Sequence, residues 1–141
     1  MAKIVAIDYG TKRVGIAVTD DLQIIASGLT TVHAKDLMVF LKEYESKNKI
    51  ECFVLGEPKN LDNQDTDSSE AINNFAVHLQ RTFPALPVHR IDERFTSKIA
   101  FQAMIDSGLS KKQRANKELV DEVSATVILQ DFLARKENGF I

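Results

Sequence analysis

The sequence has little of what would mark a secreted, membrane-spanning or disordered chain. Its single cysteine, Cys52, adjoins Phe53-Val54-Leu55 and reads as buried strand filler in a reducing compartment. The three histidines, His33, His78 and His89, do not fall at a spacing that would make that thiol a protease nucleophile. No apolar run approaches the ~20 residues needed to cross a bilayer. Met1-Ala2-Lys3 leads straight into an apolar strand, so a secretory leader is not expected, and the expected location is cytoplasmic with no membrane partner. An excess of basic charge is also missing. Eighteen Lys and Arg against 20 Asp and Glu give a net charge of −2, which tells against a generic nucleic-acid coat. It leaves a nuclease open, because bound metal ions would offset several acidic charges. With no repeat, low-complexity tract or linker, 141 residues at 44% hydrophobic and 27% charged are expected to form one domain, 1–141, with a proper core.

The chain begins with the unalternating apolar run Ile4-Val5-Ala6-Ile7, as a strand covered on both faces would read. Tyr9-Gly10-Thr11-Lys12 is a turn. Arg13 to Thr19 then alternates, and so short a connection requires an antiparallel hairpin. A third strand is expected from Gln23 to about Thr31. After it the period changes to helical over 35–47, with Leu37, Phe40, Leu41 and Tyr44 on one face. Buried strands at 52–55 and 87–91 alternate with helices from Ser68, from about Ser97 to Asp106, and from about Lys117 to Arg135. The expected fold is α/β: a five-stranded mixed sheet, second strand antiparallel, with helices on both faces. The polar loops 57–67 and 107–116 are long enough to line a site.

Three carboxylates interrupt or terminate apolar segments. Asp8 ends the first strand, Glu93 follows the last, and Asp121 shares a helix face with Ala125, Ile128 and Phe132. A carboxylate in such surroundings protonates, pairs with a cation or binds a metal. Carboxylates converging from distant elements without matching buried bases point to Mg²⁺ or Mn²⁺, and so to phosphoryl chemistry. Each has a plainer reading as well. Asp8 could initiate a turn before Gly10, and Asp121 could be a favourable first-turn carboxylate. Asp92 and Glu93 alternate, so only one of them readily joins the cluster. In a mostly parallel sheet, ligands sit at the carboxyl ends of the strands, where Asp8, Gly56 and Asp92-Glu93 all fall.

Basic residues are uneven. Lys98, Lys111, Lys112, Arg114 and Lys117 stand against a lone Asp106, forming either a solvated face or a nucleic-acid path. Lys12, Arg13, Lys59 and Arg94 lie beside the motif residues. Arg13, across the hairpin from Asp8, suits a phosphate or carboxylate contact. Asp8-Tyr9-Gly10-Thr11 also resembles the first phosphate loop of actin-like ATPases and sugar kinases, but 141 residues cannot supply their second lobe.

Four motifs in order resemble the YqgF/RuvX family of bacterial Holliday-junction-resolvase-like and pre-16S ribosomal RNA nucleases. They are Ile7-Asp8-Tyr9-Gly10-Thr11-Lys12-Arg13-Val14-Gly15-Ile16-Ala17, Gly56-Glu57-Pro58-Lys59-Asn60-Leu61-Asp62, Asp92-Glu93-Arg94-Phe95-Thr96, and Asp121-Glu122-Val123-Ser124-Ala125 leading to Ile128-Leu129-Gln130. Glu57 and Ser124 depart from that family's usual Leu and Ala. The resemblance implies a ribonuclease H-like fold, catalytic and metal-binding Asp8, Glu93 and Asp121, and cytoplasmic processing of the 5′ end of pre-16S rRNA. A two-metal hydrolysis is expected, with Asp8 able to bridge the ions. Two alternatives stay open. One is a junction resolvase acting on branched DNA, which needs a homodimer where the nuclease could be a monomer. The other is a binding module of the same fold that docks nucleic acid or a transcription complex without cutting.

Overall fold

A computed structural model describes residues 2–10, 12–57, 69–92, 117–137 and 139. Strand β1 (Lys3–Asp8) lies at the centre because Ile4, Val5, Ala6 and Ile7 all need cover, and none of the four retains exposed surface. Its neighbours are β2 (Arg13–Thr19) and β4 (Ile50–Glu57). Beyond them, β3 (Ala26–His33) and β5 (Val88–Asp92) form the edges, in the order β3-β2-β1-β4-β5. The hairpin pairs β1–β2 and β2–β3 are antiparallel, and the crossover pairs β1–β4 and β4–β5 are parallel. This is the five-stranded mixed sheet that the sequence predicts.

Alternation along each strand divides the core into two layers. Val5, Ile7, Val14, Ile16, Phe53 and Leu55 face α1 (Leu37–Lys47) and α2 (Ser69–Thr82), packing on Leu37, Leu41, Ile72, Phe75 and Leu79. Ile4, Ala6, Ala17, Cys52, Val54 and Ile91 face the other way, onto α3 (Lys117–Glu137). That helix meets them with Ala125, Ile128, Leu129 and Phe132, an apolar stripe at spacings of three and four. Cys52 is buried there as expected, and burial pushes its thiol up to about 11, which keeps it protonated and unreactive.

Among the element ends that differ from expectation, such as those of β4, which runs Ile50–Glu57 instead of 52–55, two have a clear local cause. Strand β3 starts at Ala26 rather than Gln23. The Asp20 carboxylate accepts the backbone N–H groups of Leu22, Ile24 and Ile25, and Gln23 turns the chain at φ 58°. Those N–H groups are thereby withdrawn from any ladder. Helix α1 is preceded by a 3-10 turn, Ala34–Asp36, where His33 Nδ1 accepts the Lys35 N–H. The helix expected at 97–106 and the loop at 107–116 lie outside the described residues, as do residues 58–67 of the other loop.

Candidate active site

Asp8 is the last residue of β1 and belongs to the even-numbered series, with Ile4 and Ala6, that faces α3. Asp121 lies in the second turn of α3, one turn before Ala125, and so at the end of the stripe that packs on the sheet. The two carboxylates therefore reach the same place from opposite sides of one interface. There the apolar contact between sheet and helix runs out. Asp8, Tyr9, Gly10, Lys12, Arg13 and Asp121 line an open cleft of about 290 Å³.

Gly15 fixes the depth of that interface. It pairs with Asp8 in the β1–β2 ladder, and a β-carbon added to it would overlap the backbone carbonyl of Asp121. Only glycine permits helix and strand to approach so closely. Asp8 and Asp121 thus share one backbone neighbour, which sets their separation. Sequence reasoning did not single out Gly15. The available signal was a glycine in mid-strand, between Val14 and Ile16.

Arg13 shares the α3-facing side of β2 with Gly15. Its Nε donates to Asp121 Oδ2 at 2.9 Å. The contact is with the helix carboxylate rather than with Asp8, because the hairpin register sets Asp8 against Gly15. The guanidinium is 41% exposed and the carboxylate 22%. A pair this open contributes about 0.2–1 kcal/mol, so it orients Asp121 more than it stabilises the fold. Lys12 is exposed at the rim, and its carbonyl accepts the Ala34 N–H, tying the loop after β1 to the end of β3. On the opposite side of the sheet Tyr9 stacks on Phe75, with centroids 4.7 Å apart and planes 12° from parallel.

Of the residues expected at the site, the structure brings together Asp8, Asp121, Lys12 and Arg13. Lys117 opens α3, about two turns before the start of its buried stripe at Ala125, and only its backbone is described. Glu93, Lys59, Arg94, Lys98, Lys111, Lys112 and Arg114 lie outside the described residues. Among the described residues, no group of three His, Cys, Asp or Glu side chains gathers into a metal site. The two aspartates are nonetheless suitable donors: both supply hard oxygen atoms at the mouth of an open cleft, as Mg²⁺ or Mn²⁺ requires.

Residues 2–135 match the family described as RuvX: Holliday junction resolvase. The chain belongs to the RuvX family. A relative from Flavobacterium johnsoniae, named "Putative pre-16S rRNA nuclease", is 57% identical over 136 residues, covering 96% of this chain and 99% of its own length. Another of that name, from Amoebophilus asiaticus, is 48% identical over the full length of both chains. Among solved structures, T. thermophilus RuvC in complex with a Holliday junction substrate matches with a TM-score of 0.55 at 18% identity, covering 96% of each chain. The fowlpox virus Holliday junction resolvase matches with a TM-score of 0.59 at 11% identity, covering 95% of this chain and 99% of its own. At those identities the likeness establishes the fold, which is the ribonuclease H-like architecture of the resolvases. The names given to this RuvX chain's relatives, like the family description, are those of nucleases.

Proposed function

We propose that this RuvX protein, acting as one domain over 1–141, is a divalent-metal-dependent nuclease that trims the 5′ end of pre-16S rRNA. The observation that supports this most directly is the convergence of Asp8 and Asp121 from strand and helix on one cleft edged by Lys12 and Arg13. Carboxylates and cations side by side suit a bound metal and a phosphodiester together. We assign Asp8, Asp121 and Glu93 as the ligands of Mg²⁺ or Mn²⁺. Glu93 enters the set from the motif Asp92-Glu93-Arg94-Phe95-Thr96 that resembles the family, since it lies outside the described residues.

When bound, the metal supplies Lewis-acid stabilisation of phosphoryl charge and lowers the pKa of water, in a two-ion arrangement on this reading. The protein's own groups do the rest. Asp8 and Asp121 hold their positions on the rigid Gly15 contact. Lys12 and Arg13 bind the non-bridging oxygens and place the phosphorus over the carboxylates. Water adds to phosphorus, the bond to the 3′-oxygen breaks, and the products are a 3′-hydroxyl and a 5′-phosphate. Lys59, Arg94, Lys98, Lys111, Lys112, Arg114 and Lys117 would continue the path for the backbone.

The test is cleavage of a pre-16S leader RNA beside a four-way DNA junction, with Mg²⁺ or Mn²⁺ present and after chelation. Metal-dependent shortening of the RNA leader is expected. Cutting of the junction with the RNA left intact would favour the resolvase reading, to which the family description lends weight. Tight binding of either substrate without any cutting would instead indicate a docking module. Neutralising Lys111, Lys112 and Arg114 together is expected to lower the log–log salt slope of RNA binding by up to roughly 0.7 per lost phosphate contact. An unchanged slope would make that segment a solvated face.

A further inference from the structure

An ion pair at the cleft joins a cation proposed to bind phosphate to a carboxylate proposed to bind metal. Arg13 Nε donates to Asp121 Oδ2 at 2.9 Å, and its guanidinium makes no other hydrogen bond among the described residues. A guanidinium on that oxygen occupies one of its lone pairs and repels an approaching divalent ion. The Asp121 backbone is held beside β2 by the buried stripe Ala125, Ile128, Leu129 and Phe132 that follows it on the same helix, while Gly15 bounds it from the inside. Any change of partner must therefore occur by rotation of the two side chains, and both are partly exposed. A phosphodiester can compete for the guanidinium, since two of its oxygens can engage the planar fork at once where Asp121 engages it through Nε and a single oxygen.

We propose that Arg13 couples nucleic-acid binding to metal binding: it latches Asp121 in the free protein and releases that carboxylate when a phosphate takes the guanidinium. This inference rests on the assignment of Asp121 as a metal ligand. Metal would then bind weakly to the free protein and tightly once substrate is seated. By linkage the metal strengthens nucleic-acid binding by the same factor. Such an arrangement keeps a hydrolytic site poorly charged with metal until there is something to cut. It also makes Arg13 a positioning residue for Asp121 as well as a contact to substrate.

The experiment is a Mn²⁺ titration of the intact protein, followed by the electron paramagnetic resonance of free Mn²⁺. It is run with and without a saturating single-stranded oligonucleotide whose phosphorothioate backbone resists hydrolysis. Three proteins are compared: the wild type, Arg13→Gln and Lys12→Gln. The wild type should bind Mn²⁺ more tightly with the oligonucleotide, by roughly fivefold or more, the range usual for coupled sites. Arg13→Gln should bind Mn²⁺ tightly without it and gain little when it is added. Lys12→Gln removes a neighbouring charge but not the latch, so it should keep the oligonucleotide-dependent gain. Equal Mn²⁺ affinity for wild type and Arg13→Gln would overturn the latch and leave the metal site standing. So would a weaker affinity in Arg13→Gln or an undiminished gain in that variant. Absence of Mn²⁺ binding by every protein in both conditions would overturn the metal site and the latch together. Since Arg13 is an exposed strand-end residue, thermal melts of the variants should overlay the wild type and so exclude misfolding as the cause.

Discussion

The two faces of β1 end differently. On one, Val5 and Ile7 lead to Tyr9, whose ring stacks on Phe75 and closes the α1–α2 layer with aromatic surface. On the other, Ile4 and Ala6 lead to Asp8, and the α3 layer opens into a cleft edged by Asp121 and Arg13. The same strand, hydrogen-bonded the same way throughout, thus seals one layer and exposes charge at the end of the other. One-residue alternation is enough to separate a sealed layer from one that ends in a charged cleft. The α3 layer is built differently there: at Gly15 strand backbone packs directly on helix backbone, and the helix carboxylate is held by a pair worth little to stability.

The sharpest way to break the comparison is to remove charge from the layer that ends in the cleft. Asp8→Asn should lower metal-dependent cleavage by roughly a hundredfold or more, since several kcal/mol of transition-state stabilisation depend on holding the metal. The melting temperature should stay level or rise, because Asn keeps the shape and two carboxylates no longer share the cleft. Undiminished cleavage by Asp8→Asn would remove Asp8 from the site. The reciprocal change in the sealed layer is Phe53→Ala. Phe53 is fully buried against Phe83, with ring centroids 5.2 Å apart. Its truncation should cost about 3–5 kcal/mol in denaturant melts. Activity per folded molecule should hold, and a loss of activity exceeding the loss of fold would show that the two layers are not separable.

Gly15→Ala tests the contact between the layers' functions. The added methyl group meets the Asp121 carbonyl, so α3 must move outward. Overpacking of this kind costs about 1–3 kcal/mol, and the movement carries Asp121 with it. Both stability and cleavage should fall, and the metal titration should weaken. A variant with normal metal affinity would mean that the helix can slide without disturbing its carboxylate.

Much of this was legible in the sequence, for physical reasons that differ from residue to residue. The runs at Ile4–Ile7 and Cys52–Leu55 read as buried strands because a continuous apolar segment that short fits nowhere else in a mixed sheet. Asp121 read as site-facing because its helical neighbours Ala125, Ile128 and Phe132 are buried. The start of β3 did not. Ile24 and Ile25 look like strand core but are 69% and 63% exposed, and the competing Asp20 side-chain bonds prevail over their hydrophobicity. The partner of Arg13 was also hidden: it lies 108 residues away, and only the packing of α3 on Gly15 brings it close. A register argument could place Arg13 near the cleft without choosing its carboxylate.

The smallest expected effect concerns the far end of the α3 layer, where charge also appears but without a cleft of acids. Lys136 Nζ donates to Glu51 Oε2 at 3.0 Å and to Gln23 Oε1 at 2.8 Å, binding the end of α3 to β4 and to the turn before β3. The Lys136 hydrogen bond, followed by the Gln23 amide, holds the Glu51 carboxyl below its usual range, against a smaller opposing effect of burial. A carboxyl lowered on folding adds stability above its unfolded value, near 4.5, and that addition fades as pH falls through the lower folded value. Both partners are largely exposed, so after solvent screening the pair is worth less than ~1 kcal/mol. Glu51→Gln should therefore lower the melting temperature slightly at neutral pH, and the gap should close below pH 4.5 as the wild-type carboxyl protonates. Added salt should narrow the neutral-pH gap as well. Metal-dependent cleavage should be untouched, because this pair sits at the opposite end of α3 from Asp121. A gap that persists unchanged into acid would mean that Glu51 acts through packing of its side-chain stem and not through its charge.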